Sequence, residues 1–257
     1  MERIGFIGVG EISSAMVEGL SRGVEAPPPI SLSPRGAATA AALAERYPNV
    51  QVRASNQEVA DHADLLVLAV RRADRHEALA GLRIGPEATI VNVIPGVPQA
   101  ELREILRTEA DIVAAIPLPT VRERQSVTVT YPAHPVADAL FDRLGGAQPV
   151  ADQTAYNVCS SLASTLSTHY AYLAALTEWA VRHGVPSEAA DRYVRSLFQG
   201  VGRSLGDESR PLGRLAAEHE TPGGSNERIR TTWFDTANAA ALQAALNGLL
   251  ADLEQPQ

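Results

Sequence analysis

The sequence predicts an α/β protein: an N-terminal doubly wound domain over residues 1–151, then an all-helical domain over residues 152–257. Three observations carry this. The chain opens on a strand, a Gly-x-Gly turn and a helix start, Ile4-Gly-Phe-Ile-Gly-Val-Gly-Glu-Ile-Ser13. Short apolar runs then alternate with helical stretches to about residue 150, the pattern of a parallel sheet covered on both faces. From Thr154 onward only helical periodicity remains.

The elements follow in order. Ile4, Phe6 and Ile7 form the first strand, and Ser14 to Arg22 a helix. Ile30 to Ser33 is a second strand, and Ala37 to Tyr47 a helix stopped by Pro48. Val50 to Val52 is a third strand. Asp64 to Val70 is continuously apolar after its first residue, as expected of a strand buried on both faces. Ala88 to Ile94, Asp111 to Ile116 and Ser126 to Tyr131 read as further strands, followed by a helix from Pro135 to Leu144. In the second half, Leu162, Leu166, Tyr170, Leu173, Leu176 and Ala180 recur every three to four residues, with Gly184 and Pro186 as the stop. Ser187 to Leu205 is a second helix. Glu227 to Leu253 holds a third and a fourth, and Thr221 to Ser225 is a loop. Such long apolar helices call for a partner, so a homodimer through this region is expected.

Composition narrows the function. A net charge of −8 in 257 residues argues against nucleic-acid and anionic-membrane partners. No apolar run approaches the roughly 20 residues of a membrane span, and the opening strand does not read as a signal sequence. The single Cys159 cannot form an internal disulfide and suits a reducing cytoplasm. It reads as a small buried residue rather than a nucleophile. All 22 basic residues are arginine, which excludes a lysine base or Schiff base. The histidines show no metal-ligand spacing.

The opening turn is an anion site. Backbone N–H groups around Gly8, Val9 and Gly10, with Glu11 and Ile12 at the helix start, face a dinucleotide pyrophosphate, and the helix dipole favours its charge. Ser13, at the third position, is small enough for close helix–strand packing. The second strand ends Leu32-Ser33-Pro34-Arg35, without the carboxylate that would hold a free ribose 2′-hydroxyl. Ser33 can donate a hydrogen bond and Arg35 can pair with a phosphate, favouring NADP(H) over NAD. Arg35 also reads as a solvated helix-start residue. Arg71 is a second basic candidate at the adenine end.

At this point the chain resembles the pyrroline-5-carboxylate reductase family over most of its length. The opening segment is similar to that family's first strand and turn. Ala54-Ser55-Asn56 and Ala63 to Arg71 are similar to its adenosine segment, which implies Asn56 at the ribose and Ala69, Val70 and Arg71 along the adenine. Ile116-Pro117-Leu118-Pro119 stands where the family has Met-Pro-Asn near the nicotinamide. Thr221-Pro222-Gly223-Gly224-Ser225-Asn226 matches its late Pro-Gly-Gly loop, which in the family crosses to the partner subunit's active site and holds the imine acid. Three departures lie in the substrate half. Leu162 to Thr168 replaces the family's Ser-Gly-Ser-Gly-Pro-Ala-Tyr, Leu118 replaces the Asn, and Asn226 replaces a Thr.

The resemblance implies NADPH-dependent reduction of a cyclic imine, 1-pyrroline-5-carboxylate or a related imine acid. Pro117 and the Gly223, Gly224 and Ser225 N–H groups would bind substrate, the latter as a nest for its carboxylate. Asn226, Glu208 and Ser225 are the catalytic candidates: Asn226 would accept from the imine nitrogen and Glu208 would stabilise the cation. Glu208 equally reads as an exposed carboxylate beside Arg210. His169 and Tyr170 read as helix packing. His219, between Glu218 and Glu220, reads as a surface histidine. Two other classes stand beside this one. A β-hydroxyacid-type dehydrogenase has a similar plan but uses a lysine that is lacking here. The other is a non-catalytic NADP-binding regulator.

Overall fold

The computed structural model describes residues 2–255. The chain divides into two compact units, Met1–Ser160 and Ser161–Gln257.

The first unit is built on one eight-stranded sheet, in the order β3-β2-β1-β4-β5-β6-β7-β8. Its strands are β1 (Ile4–Ile7), β2 (Ile30–Leu32), β3 (Val50–Val52), β4 (Leu65–Leu68), β5 (Thr89–Asn92), β6 (Asp111–Ile116), β7 (Thr128–Tyr131) and β8 (Ala147–Pro149). Six helices accompany them: α1 (Glu11–Ser21), α2 (Ala37–Arg46), α3 (Asn56–Asp61), α4 (Arg75–Leu79), α5 (Gln99–Leu106) and α6 (Pro135–Asp142). Strand alternation divides the core between two faces. Phe6 and Val67 point to one face, where α1, α2 and α6 supply Met16, Leu43 and Phe141. Ile7, Leu66 and Leu68 point to the other, where α3, α4 and α5 supply Val59, Leu79 and Leu102. The apolar run through β4 is thus buried on both sides, as its sequence implies.

The sheet is doubly wound but not wholly parallel: β7 runs antiparallel to β6. The connection from Ile116 to Thr128 contains only a short 3₁₀ turn, Pro119–Glu123. A parallel neighbour needs a longer crossover. The α6 crossover then returns β8 parallel to β7. That last strand has no apolar run to announce it.

The order of strands reverses between β1 and β4. In open α/β sheets this is where a crevice forms at the carboxyl ends of the strands. The Gly8–Gly10 turn leaves β1 there, and Ala69–Arg71 leaves β4. Helix α1 is further tied to the 3₁₀ turn. The Arg124 Nε donates to the Gly19 carbonyl at 2.7 Å, and its Nη2 donates to the Arg22 carbonyl.

α7 (Gln153–Ala163) spans the boundary between the units, and α8 (Leu166–Arg182), α9 (Ser187–Ser204), α10 (Leu212–Glu218), α11 (Ser225–Trp233) and α12 (Thr236–Glu254) make up the second. The apolar stripe from Leu162 to Ala180 does not lie on one helix. It breaks at Ser164 and Thr165, where Thr165 turns both its N–H (3.0 Å) and its hydroxyl (2.8 Å) to the Leu162 carbonyl. Such local bonding competes with helix continuation. Among the described residues of this unit only Ala190, Val194 and Leu215 are buried apolar side chains. No helix of the described residues is long and apolar enough to cross a membrane.

Candidate functional site

The site in the first unit is organised around one residue, Gly8. Its φ of +95° suits glycine, and a Cβ there would lie 2.6 Å from the Ala69 carbonyl oxygen. Both of its backbone polar groups are satisfied by serine hydroxyls. The Gly8 N–H donates to Ser33 Oγ at 2.9 Å, and Ser13 Oγ donates to the Gly8 carbonyl at 2.7 Å. The two serines are fully buried. Ser33, read from the sequence as a hydrogen-bond donor, is buried in the wall of the turn, where its oxygen accepts from the Gly8 N–H.

Gly10, extended, precedes α1 without any side-chain cap. The first N–H groups of a helix have no partner of their own. Here those of Glu11, Ile12 and Ser13 are left to the crevice. A Cβ on Gly10 would meet nothing within 4 Å, so the space beyond it is open. An anionic group fits this arrangement. The Glu11 side chain, exposed at the same mouth, accepts from Arg122 Nη2 at 2.9 Å, and Arg122 Nε lies 3.3 Å from Glu18. Arg122 thereby offsets a carboxylate that would otherwise oppose an anion.

At the far side of the crevice two arginines from different loops meet on one carboxylate. Arg71 Nε donates to Asp74 Oδ2 at 2.7 Å, and Arg35 Nη2 lies 3.1 Å from the same oxygen. Hydrogen bonding from Arg71, then the charge of Arg35, holds the Asp74 carboxyl below its usual range. The cluster is lost only as pH falls through that lowered value. Both guanidiniums keep unused donors and exposed surface. Arg35 is thus neither a purely solvated residue nor a free one. Pro34 beside it is exposed. Asn56 opens α3 and donates its amide N–H to the Ala78 carbonyl at 3.0 Å, which leaves its amide oxygen available. Val9, Val70 and Pro117 are buried, and Ile12 and Ala69 half-buried. Asn92, absent from the sequence candidates, shapes the loop after β5. Its Nδ2 donates to the Val97 carbonyl at 2.9 Å and its Oδ1 accepts from the Ile94 N–H at 3.0 Å.

In the second unit the Pro-Gly-Gly loop turns at Gly223, with φ +72°. Two of the three N–H groups expected to form a nest have internal partners. The Gly223 N–H donates to Glu227 Oε2 at 2.6 Å and the Gly224 N–H to the Thr221 carbonyl at 2.7 Å. The Ser225 N–H begins α11. Asn226 Nδ2 donates to the His219 carbonyl at 2.7 Å, which presents the amide oxygen as the free acceptor. Glu208 is exposed in the loop after α9, and Arg210 pairs with Asp207 and Glu218 instead. The carboxylates flanking His219 are likewise turned away from it: Glu218 pairs with Arg214, and Glu220 with Arg230. His169 packs edge-on to Phe198, while Tyr170 is exposed. Cys159 is free and half-buried rather than buried.

Comparison with known proteins bears on both units. The family described as "NADP oxidoreductase coenzyme F420-dependent" matches residues 3–96. A delta-1-pyrroline-5-carboxylate reductase of Gibberella fujikuroi is 25 % identical, over 94 % of this chain and 93 % of its own. The crystal structure of 1-pyrroline-5-carboxylate reductase from Streptococcus pyogenes superposes with a TM-score of 0.80 at 19 % identity, covering 98 % of both chains. That of Plasmodium falciparum pyrroline carboxylate reductase with NADP bound gives 0.78 at 15 % identity, covering 98 % of this chain and 97 % of that one. These superpositions show a shared fold through the sheet and the helical unit.

Ser33→Ala leaves the Gly8 N–H buried without an acceptor. Such a loss costs about 1–3 kcal/mol, so denaturant unfolding of the variant should show a lower midpoint with an unchanged slope. An unchanged midpoint would mean the hydroxyl does not hold the turn.

Proposed function

We infer that this chain is a member of the pyrroline-5-carboxylate reductase family and uses NADPH to reduce the C=N bond of a small cyclic imine acid. The substrate is 1-pyrroline-5-carboxylate or a close relative, and the product is the corresponding cyclic amino acid. The observation that carries this reading is the length of the likeness. A dinucleotide fold alone is shared by many oxidoreductases. Here the match runs on through the helical unit as well.

The residues fit NADP(H). The N–H groups at the Gly8-Val9-Gly10 turn and at Glu11 and Ile12 would hold the pyrophosphate. Arg35 and Arg71 would take the 2′-phosphate with their unused donors, against a wall formed by Ser33 and Pro34. Asn56, through its amide oxygen, would meet the ribose, and Ala69 and Val70 would line the adenine side. The bound dinucleotide supplies the hydride. Residues 1–151 serve this cofactor in our reading, and residues 152–257 serve dimerisation and substrate.

For the substrate, Pro117 would lie near the reacting ring. The Gly223-Gly224-Ser225 turn would hold the carboxylate, with the Ser225 N–H its one donor without an internal partner. An iminium is already electrophilic, so the protein need only keep the nitrogen protonated and oriented. The Asn226 amide oxygen suits acceptance of that N–H, because its amide nitrogen is already engaged. Glu208, exposed and unpaired with Arg210, would stabilise the cation. The absence of any lysine argues against a hydroxyacid dehydrogenase.

The helical unit supports a homodimer. With so few buried apolar side chains it has little core of its own, while Leu166, Trp179, Leu197, Leu205 and Ile229 are exposed. Obligate interfaces of this kind commonly bury more than about 2,000 Å². A reducing compartment such as the cytoplasm suits the single free cysteine.

Three outcomes follow. NADPH absorbance should fall when 1-pyrroline-5-carboxylate or a six-membered imine acid is added. Turnover of keto acids alone would point to a hydroxyacid dehydrogenase, and tight NADPH binding without any turnover to a regulator. Arg35→Ala should weaken NADPH about tenfold or more and leave NADH nearly unchanged, as expected for one charge-assisted contact; equal affinity of the unaltered protein for both cofactors would refute the assignment. Light scattering at micromolar concentration should give twice the chain mass. A stable folded monomer would contradict the dimer.

A further inference from the structure

We propose that Glu227 is a specificity-determining residue. Its carboxylate competes with that of the substrate for the Gly223–Gly224 turn. It thereby sets how strongly the protein favours an imine acid over an imine lacking a carboxylate. This rests on the functional reading above.

The two glycine N–H groups differ in a way that matters. That of Gly224 is closed into a backbone turn with the Thr221 carbonyl. That of Gly223 is held only by a side chain, through the 2.6 Å bond to Glu227 Oε2. The shortness is that of a charge-assisted bond. Glu227 is the third residue of α11, one turn from the glycines, and its side chain reaches back over the loop. An acid in a first turn is favoured by the helix dipole. No ion pair neutralises it among the described residues. Arg230, on the same helix, is committed to Glu220 through Nε and through Nη2 at 2.9 Å and meets Glu227 only as a weaker, unbonded charge. The arginines around this loop pair instead with Asp207, Glu218 and Glu220. The protein's own carboxylate thus occupies the donor that a bound imine acid would use. An incoming carboxylate must displace it and then tolerate its charge nearby. An imine without that group meets neither obstacle.

The test compares 1-pyrroline-5-carboxylate with the carboxylate-free 1-pyrroline at saturating NADPH, in the unaltered protein and in Glu227→Gln. The glutamine amide oxygen still accepts from the Gly223 N–H, so the loop keeps its bond and loses only the charge. The ratio of the KM for 1-pyrroline to that for the imine acid should rise at least about fivefold, the scale of a like-charge interaction a few ångströms apart near a protein surface. Glu227→Ala should move the ratio the same way, although its helix start is less stable. A ratio unchanged in both variants, or equal shifts in both KM values, would show a helix cap with no part in specificity. Unaltered protein that reduces neither imine would overturn the functional reading and this proposal together. Activity with an unmoved ratio would overturn this proposal alone.

Discussion

The turn after the first strand depends on two buried serine hydroxyls acting on one glycine. Gly8 follows the last paired residue of β1, so its carbonyl and N–H find their partners outside the sheet ladder. Ser13 answers the carbonyl and Ser33 the N–H. With those bonds made, the backbone approaches β4 too closely for any side chain at position 8. Helix α1 is then aimed so that its free N–H groups open onto the crevice. Arg124 fixes the far end of the same helix to the 3₁₀ turn before β7. The anion site is therefore held by side chains from three separate stretches of the sequence.

Much of this architecture is legible in the sequence, because each signal is local. Ile4 to Gly10 shows strand, turn and helix within a few residues. The β4 run is apolar because both its faces are covered. What escapes is what depends on distance along the chain. Ser33 reads as a donor at the end of the second strand, yet its oxygen accepts from a backbone N–H 25 residues earlier. Asp74 looks like a loop acid three residues past Arg71, and only the fold brings Arg35 to it. The antiparallel β7 follows from the lack of a crossover helix, which periodicity alone does not count. The break before α8 needs the Thr165 hydroxyl to be seen bonding backwards.

The second unit is less legible for a further reason. It has few buried apolar side chains among the described residues, so its periodic pattern does not say which helix face meets what. The loop matched on Pro222-Gly223-Gly224 keeps its turn, but the residues after it change the chemistry. Asn226 presents an oxygen because its nitrogen is tied to His219. Glu227 places a negative charge on a donor that the resemblance alone would leave free. The arginine-only basic complement also matters here. Its guanidiniums pair with Asp207, Glu218 and Glu220 around this loop, rather than offering an amine that could act as a base.

The central claim is that hydride passes from the dinucleotide to an imine carbon. The most direct measurement uses NADPH carrying deuterium at the nicotinamide C4, followed by mass spectrometry of the product from 1-pyrroline-5-carboxylate. Using each C4 stereoisomer in turn covers either face of the ring. With one of them, the proline formed should gain one deuterium on the former C=N carbon. Proline without deuterium from either isomer, or no cyclic amino acid formed from this or the six-membered imine acid, would contradict the account.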